Sequence, residues 1–301
     1  MIPYNEFYSA YLSNHFKIKS KLAAYWLNLN QESLQTTADQ LDLKVNDIEF
    51  LKTIKLDLLQ TFYQSVESLF GLMHSLEKVE SNSMLPDYLV NAGIGELHKY
   101  IAQFRNFEYC EQYLISDLQN DNADKIPKYK WLFYFITIFY KGVPQDFLNK
   151  VENLDNIKGI AWTLHTLANM FNKEAHNAIK HGLRCLIVDR LDLTMNFPEG
   201  IEPPEPIKNI NIDNEMLMYY TKRPIKNGPA DVVLVPFDVK YLIFMEDGNS
   251  KLLRNLINHR QIVFGTDKPE EVFAHFFSYK NLEEKKPSLG NFQSIRVSVN
   301  I

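Results

Sequence analysis

Between Asn46 and Leu76 the chain places Leu51, Leu58, Phe62, Val66, Leu69, Met73 and Leu76 at steps of three, four and seven residues. That spacing lines one face of an α-helix and fits no strand. A helix of this length must cover its apolar stripe with other helices, so the chain is expected to be mainly α. Asn46 is placed to cap its start, because the Asn side chain accepts a hydrogen bond from a first-turn N–H. With 301 residues, 46% of them apolar, there is enough material for a core. At roughly 150 residues per domain this means one large domain or two small ones.

Other helices are expected on either side. Tyr4 to Leu29 is aromatic on several sides and carries Lys17, Lys19 and Lys21. Pro86 suits the first turn of a helix reaching Phe107, where the N–H that proline lacks has no intrahelical use. Shorter helical patterns span Glu108 to Gln119, Pro127 to Lys141 and Gln145 to Val151. A long one is expected from Asn156 to Ile187. After Asp192 the segment PEGIEPPEP puts Pro198, Pro203, Pro204 and Pro206 close together, which no helix can pass through. Beyond it MLMYYTK (Met216 to Lys222) and DVVLVPF (Asp231 to Phe237) are β-prone and joined through an Asn-Gly pair, so a small hairpin is expected. Residues 239 to 261 again read as helical, and the tail after Gly265 is mixed. The expected organisation is a helical bundle over 1–192, a Pro-rich linker and β-hairpin over 193–236, and a helical extension with a tail over 237–301.

The charge balance, 32 basic against 37 acidic side chains or −5 overall, repels a polyanion, so any contact with RNA must come from a local patch. Cys110 and Cys185 are the only cysteines and no CxxC occurs, which suits a reducing compartment. The start MIPYNEFYSAYLSNHFK shows no leader pattern, and the apolar run Trp131 to Tyr140 is about half of the ~20 residues a membrane helix needs. A cytoplasmic protein with no membrane partner is expected.

The segment EAHNAIKHGLR, Glu174 to Arg184, concentrates hydrogen-bonding chemistry within an apolar stretch. At about 100° per residue, Lys173, Asn177, His181 and Arg184 fall within roughly 80° of one another on a helix. His165, Asn169, Asn172 and His176 form a second row. Such stripes are commonly solvated faces. The asparagines, poor helix formers, and the apolar surroundings single this one out.

The stretch HNAIKH, His176 to His181, resembles the R-N-x-x-x-H signature of HEPN domains, an all-helical superfamily with many metal-independent ribonucleases of defence and toxin systems. Asn177 and His181 match their positions, and His176 stands where the family has arginine. The helix FYQSVESLFGLMHSLE, Phe62 to Glu77, is similar to the HEPN helix that packs against the motif helix. The resemblance covers about residues 45–190. It implies a HEPN-like helical bundle of bacterial type, pairing as a homodimer through its motif helices and binding RNA or a protein partner.

In the active families the arginine holds the phosphate while the histidine moves the proton. His176 is a shorter donor, mostly neutral near pH 7 at an ordinary pKa of ~6.5, so the motif reads as a degenerate nuclease site. The expected role is therefore a binding or dimerisation module. The alternative is a metal-independent endoribonuclease in which His181 is general acid or base, Asn177 orients it or the phosphate, His176 stands in the arginine's phosphate-holding place, Lys180 or Arg184 stabilises charge on the phosphoryl oxygens, and Lys173 and Lys180 bind the substrate. Glu67 and His74 share a face of the preceding helix and could approach the motif if the two helices pack antiparallel. No metal or cofactor is expected: HExxH, a P-loop and a GxSxG elbow are all absent from the sequence, and His165, His176 and Glu174 make no coherent ligand set.

Overall fold

A computed structural model of the chain describes residues 10–42, 47–78, 93–115, 146, 149–150, 152–181, 185–189, 191–194, 209–212, 215–221, 230–264, 274–284 and 295–299. Among the described residues seven helices come first: α1 His15–Leu27, α2 Gln31–Gln40, α3 Asp47–Lys78, α4 Ile94–Gln103, α5 Phe107–Ile115, α6 Leu154–Met170 and α7 Lys173–Lys180. Strands β1 Cys185–Val188, β2 Leu191–Thr194, β3 Asn209–Ile212, β4 Met216–Tyr220 and β5 Ala230–Pro236 follow. Helices α8 Val239–Phe264 and α9 Tyr279–Glu283 and strand β6 Ile295–Val299 complete the order. The fold is mainly helical with a small antiparallel sheet, and no helix among the described residues is long and apolar enough to cross a membrane. The expected N-cap Asn46, the start at Pro86, the helix from Pro127 to Lys141, the run Trp131 to Tyr140 and the Pro-rich segment lie outside the described residues.

The chain forms two compact units, each drawn from three stretches of sequence. The first comprises 1–22, 61–171 and 243–288. The α3 stripe supplies its centre: Phe62, Val66, Leu69 and Met73 are fully buried, as the spacing demands. Around them are Ile101 of α4, Leu114 of α5, Ile160, Leu164 and Leu167 of α6, and Leu252 and Leu256 of α8, all at most 1% exposed. Aromatic rings pack tilted or edge-on at one end, with Phe104 5.0 Å from Phe70, 5.1 Å from Tyr100 and 4.9 Å from Tyr113. Such offset geometry is what ring quadrupoles prefer.

The second unit comprises 23–60, 172–242 and 289–301. Its sheet runs in the order β1-β4-β5-β6, antiparallel throughout, and β2 pairs separately with β3. The expected hairpin is present as β4 and β5, with Met216 opposite Pro236 and Tyr220 opposite Val232. It is the middle of a larger sheet, because β1 and β6 add at its edges. Ala175, Ala178 and Ile179 of α7 are buried, as are Cys185, Ile187, Leu217, Tyr219, Val233 and Leu234 of the strands.

The expected single helix from Asn156 to Ile187 is broken twice. At its first break Phe171 adopts an extended conformation (φ −70°, ψ 112°) and closes α6. The Arg105 guanidinium donates to the carbonyls of Ala168 at 3.2 Å and Phe171 at 3.1 Å. It thereby satisfies acceptors that a helix end leaves bare, and it sets a cation at the negative end of the dipole. Asn172 then caps α7, its side chain accepting from Ala175 N at 3.0 Å. At the second break His181 closes α7, and Cys185–Val188 is a strand whose residues alternate between buried and more exposed. The apolar β-branched content of that segment suits a pleated surface better than a helix.

Candidate functional site

Helix α7 is short and sharply two-sided. Taking Asn177 as zero and about 100° per residue, Lys180, Lys173, Asn177, His181 and Glu174 span an arc of roughly 120°. All five are exposed. The other arc carries Ala175, His176, Ala178 and Ile179, all buried. The pattern explains why so polar a segment is helical: its apolar positions, together with His176, meet the unit's core, and its other polar positions meet water.

Of the residues singled out from the sequence, Lys173, Asn177, Lys180 and His181 are therefore brought to one solvent face, with His181 N donating to Asn177 O at 3.2 Å. His176 is not. It lies about 100° round the helix from Asn177 and is 1% exposed. Arg184 lies outside the described residues. The second row, His165, Asn169, Asn172 and His176, does not exist as a row, because α6 ends between its members. Asn169 donates to His165 O at 2.9 Å within α6, and Asn172 serves as the α7 cap.

Glu67 and His74 find partners on α4 of their own unit. Glu67 Oε1 lies 3.3 Å from His98 Nε2, and His74 Nε2 lies 3.9 Å from Glu96 Oε1. They line a cleft of about 230 Å3 between α3 and α4, together with Ser68, Ser75 and Leu97. The His74 ring also packs on Tyr100 at 4.7 Å. Beyond it the hydroxyls of Tyr100 and Tyr113 both donate to Glu77 Oε1 and lie 3.0 Å apart. Burial raises both phenols well above their ordinary range, helped next by the Glu77 charge at Tyr100 and by Tyr100 and then Glu77 at Tyr113, so they act as neutral donors. Among the described residues no three His, Cys, Asp or Glu side chains gather as a metal would require.

Sequence reasoning missed a buried polar cluster in the first unit. Glu246 of α8 is fully buried, in contact with Ser65 of α3 and accepting from Ser250 at 2.9 Å, while Asn249 donates to Ser65 at 2.7 Å. The signal was present. Leu242, Met245, Asn249 and Leu252 recur at helical steps, which places Glu246 on the buried side of α8.

The architecture defines a mainly helical protein with a small antiparallel sheet and a motif helix whose charged face is open to solvent. No family model matches the chain, and neither a curated protein nor a solved structure matches it.

Proposed function

We propose that this chain is a HEPN-like binding module that pairs with a second copy of itself through the exposed face of α7, its motif serving recognition instead of RNA cleavage. The observation that carries this reading is the division of the motif: Asn177 and His181 face solvent while His176 is 1% exposed. A phosphate gripped on the α7 surface would have no donor from His176, the residue in the arginine's place.

The face is also self-complementary. Asn177 is the midpoint between Glu174 and Lys180 and between Lys173 and His181. Two α7 helices packed antiparallel about a two-fold axis at Asn177 bring each Glu174 level with the other copy's Lys180, within reach of these long side chains across the stripe, the isologous arrangement of a symmetric dimer. Exposed pairs of this kind contribute about 0.2–1 kcal/mol each. They fix register and exclude wrong partners more than they supply affinity. A stable pair needs about 800 Å² per partner, so surface flanking α7 must join the interface.

Sedimentation is expected to show the wild type as a dimer at tens of micromolar, Glu174→Lys and Lys180→Glu each shifted toward monomer, and the double charge swap restored. A wild type that stays monomeric sinks the reading. RNA is tested separately. Cleavage that survives EDTA, leaves cyclic phosphate ends and is lost in His181→Ala would replace the binding module with a metal-independent ribonuclease.

A further inference from the structure

We propose that α1 docks an acidic amphipathic helix of a partner protein along a seam formed by Ile18, Leu22 and Tyr25. These side chains are 57%, 54% and 60% exposed, and they recur at steps of four and three along the helix. At about 100° per residue they share an arc of roughly 60°. The buried positions of α1 lie on the opposite side and hold the small residues Ser20 and Ala23. The helix thus turns larger apolar groups to water than it buries, an aligned arrangement that a core does not need and a partner does.

Charge selects the partner. Written as a heptad with Ile18 and Tyr25 at d and Leu22 at a, the seam has Lys19 at e and Lys21 at g, one on each side. Charges at these two positions decide which helix a seam accepts. Lys21 is exposed and Lys19 half-buried, whereas Lys17, off the seam, is held by Asp247 at 3.4 Å. From His15 to Leu27 there is no Asp or Glu. A second α1 would therefore bring cations and no carboxylate to the seam, so self-pairing there is repulsive. A helix with Leu or Ile at a and d and Glu at e and g answers both the apolar stripe and the lysines.

The width of the stripe separates a helix from a lipid surface. An interfacial helix enters lipid with a broad apolar face. The α1 stripe is narrower than the arc of about 100° that an ordinary amphipathic helix shows, and has the width of the seam along which one helix packs on another. About two heptads of seam bury less than the ~1,200 Å2 of a standard interface, which places the complex among weak, reversible ones. The residues of the seam all belong to α1 and none to α7, so the site stands or falls independently of pairing through α7.

The probe is a fluorescent peptide of about three heptads with Leu at a and d and Glu at e and g, titrated with the full chain and read by anisotropy. Control peptides carry Lys at e and g, or Ser at a and d. The acidic peptide is expected to bind with a Kd on the order of tens of micromolar, and both controls about tenfold or more weaker. Ile18→Gln, Leu22→Gln and Lys21→Glu, all on exposed side chains, are each expected to weaken it about fivefold or more with the thermal transition retained, and Lys21→Glu to gain on the lysine peptide. No saturable binding at hundreds of micromolar, equal binding of the acidic and lysine peptides, or unchanged affinity in the folded variants overturns the assignment. Binding to phosphatidylserine vesicles that Leu22→Gln abolishes, with the peptide left unbound, overturns it in favour of a lipid contact. A dimer that Leu22→Gln dissociates overturns it in favour of a contact between copies.

Discussion

Ser65 has one proton to give and two lone pairs. Its hydroxyl lies 2.8 Å from Phe62 O, takes a hydrogen bond from Asn249 Nδ2 at 2.7 Å, and touches Glu246 Oε2. All three contacts are satisfied together when Ser65 donates to Phe62 and a protonated Glu246 donates to Ser65. Electrostatics agrees, since burial raises the Glu246 pKa to about 8 against the lowering effect of Ser65, Ser250 and Asn249. The sign of the consequence follows. Between the ordinary value of 4.5 and about 8, the unfolded chain releases this proton while the folded chain keeps it, so stability falls as pH rises through that window. The loss is on the order of 4 kcal/mol. Glu246→Gln keeps one acceptor and one donor and cannot titrate. Urea unfolding at pH 5 and pH 8 is expected to show the variant gaining on the wild type by several kcal/mol at the higher pH. An equal difference at both pH values would mean that Glu246 is charged in the core.

At the scale of elements, glycine positions test how tightly the helices hold their neighbours. A Cβ at Gly159 of α6 would lie 2.5 Å from Phe277 O and 2.8 Å from its carbonyl carbon, atoms of backbone that cannot rotate aside. A Cβ at Gly71 of α3 would meet only Leu97 Cδ2 at 3.8 Å, an ordinary contact. The same substitution therefore has opposite expected signs. Gly159→Ala loses about 1–3 kcal/mol through overpacking, whereas Gly71→Ala is neutral or gains up to about 1 kcal/mol from helix propensity. Denaturant midpoints decide, and a Gly159→Ala protein as stable as wild type would mean that the segment at Phe277 is not held against α6. The difference was not legible in the sequence, because both glycines sit in apolar helical patterns and only the fold tells which one faces backbone. Legibility elsewhere followed the same rule. Helix α3 was readable because its own residues carry the period, and β4 and β5 because their β-prone runs flank an Asn-Gly pair. Helix α2 went unread although Asn30, which accepts from Ser33 N at 2.8 Å, is a cap signal of the usual type. The break before α7 was hidden because Asn172 was counted as part of a polar stripe when its role is a cap. The motif face itself was legible, since Lys173, Asn177 and His181 do share one exposed side. The burial of His176 was not, because it depends on which arc of α7 meets the core.

For the whole molecule, each compact unit is composed of three separate stretches of the chain. Helix α1 contributes to the first unit through Leu22 and to the second from Ala23; α3 passes from the second to the first between Gln60 and Thr61; and α8 enters the first at Ile243. Among the described residues the boundaries of the units thus fall within the ranges of α1, α3 and α8. Melting one unit would leave each of these helices half formed, with bare N–H and C=O groups at the break and a new end to nucleate. The expected outcome is a single cooperative transition, and the chain supplies probes for it. Trp26, packed edge-on against Phe50 at 5.7 Å, reports on the second unit, and Trp162 reports on the first. Proteins keeping only one of these tryptophans are expected to give coincident thermal curves, which also coincide with the loss of helical circular dichroism. If the Trp26 curve is complete before the Trp162 curve begins, the shared helices fray at the division, and the units fold as separate domains.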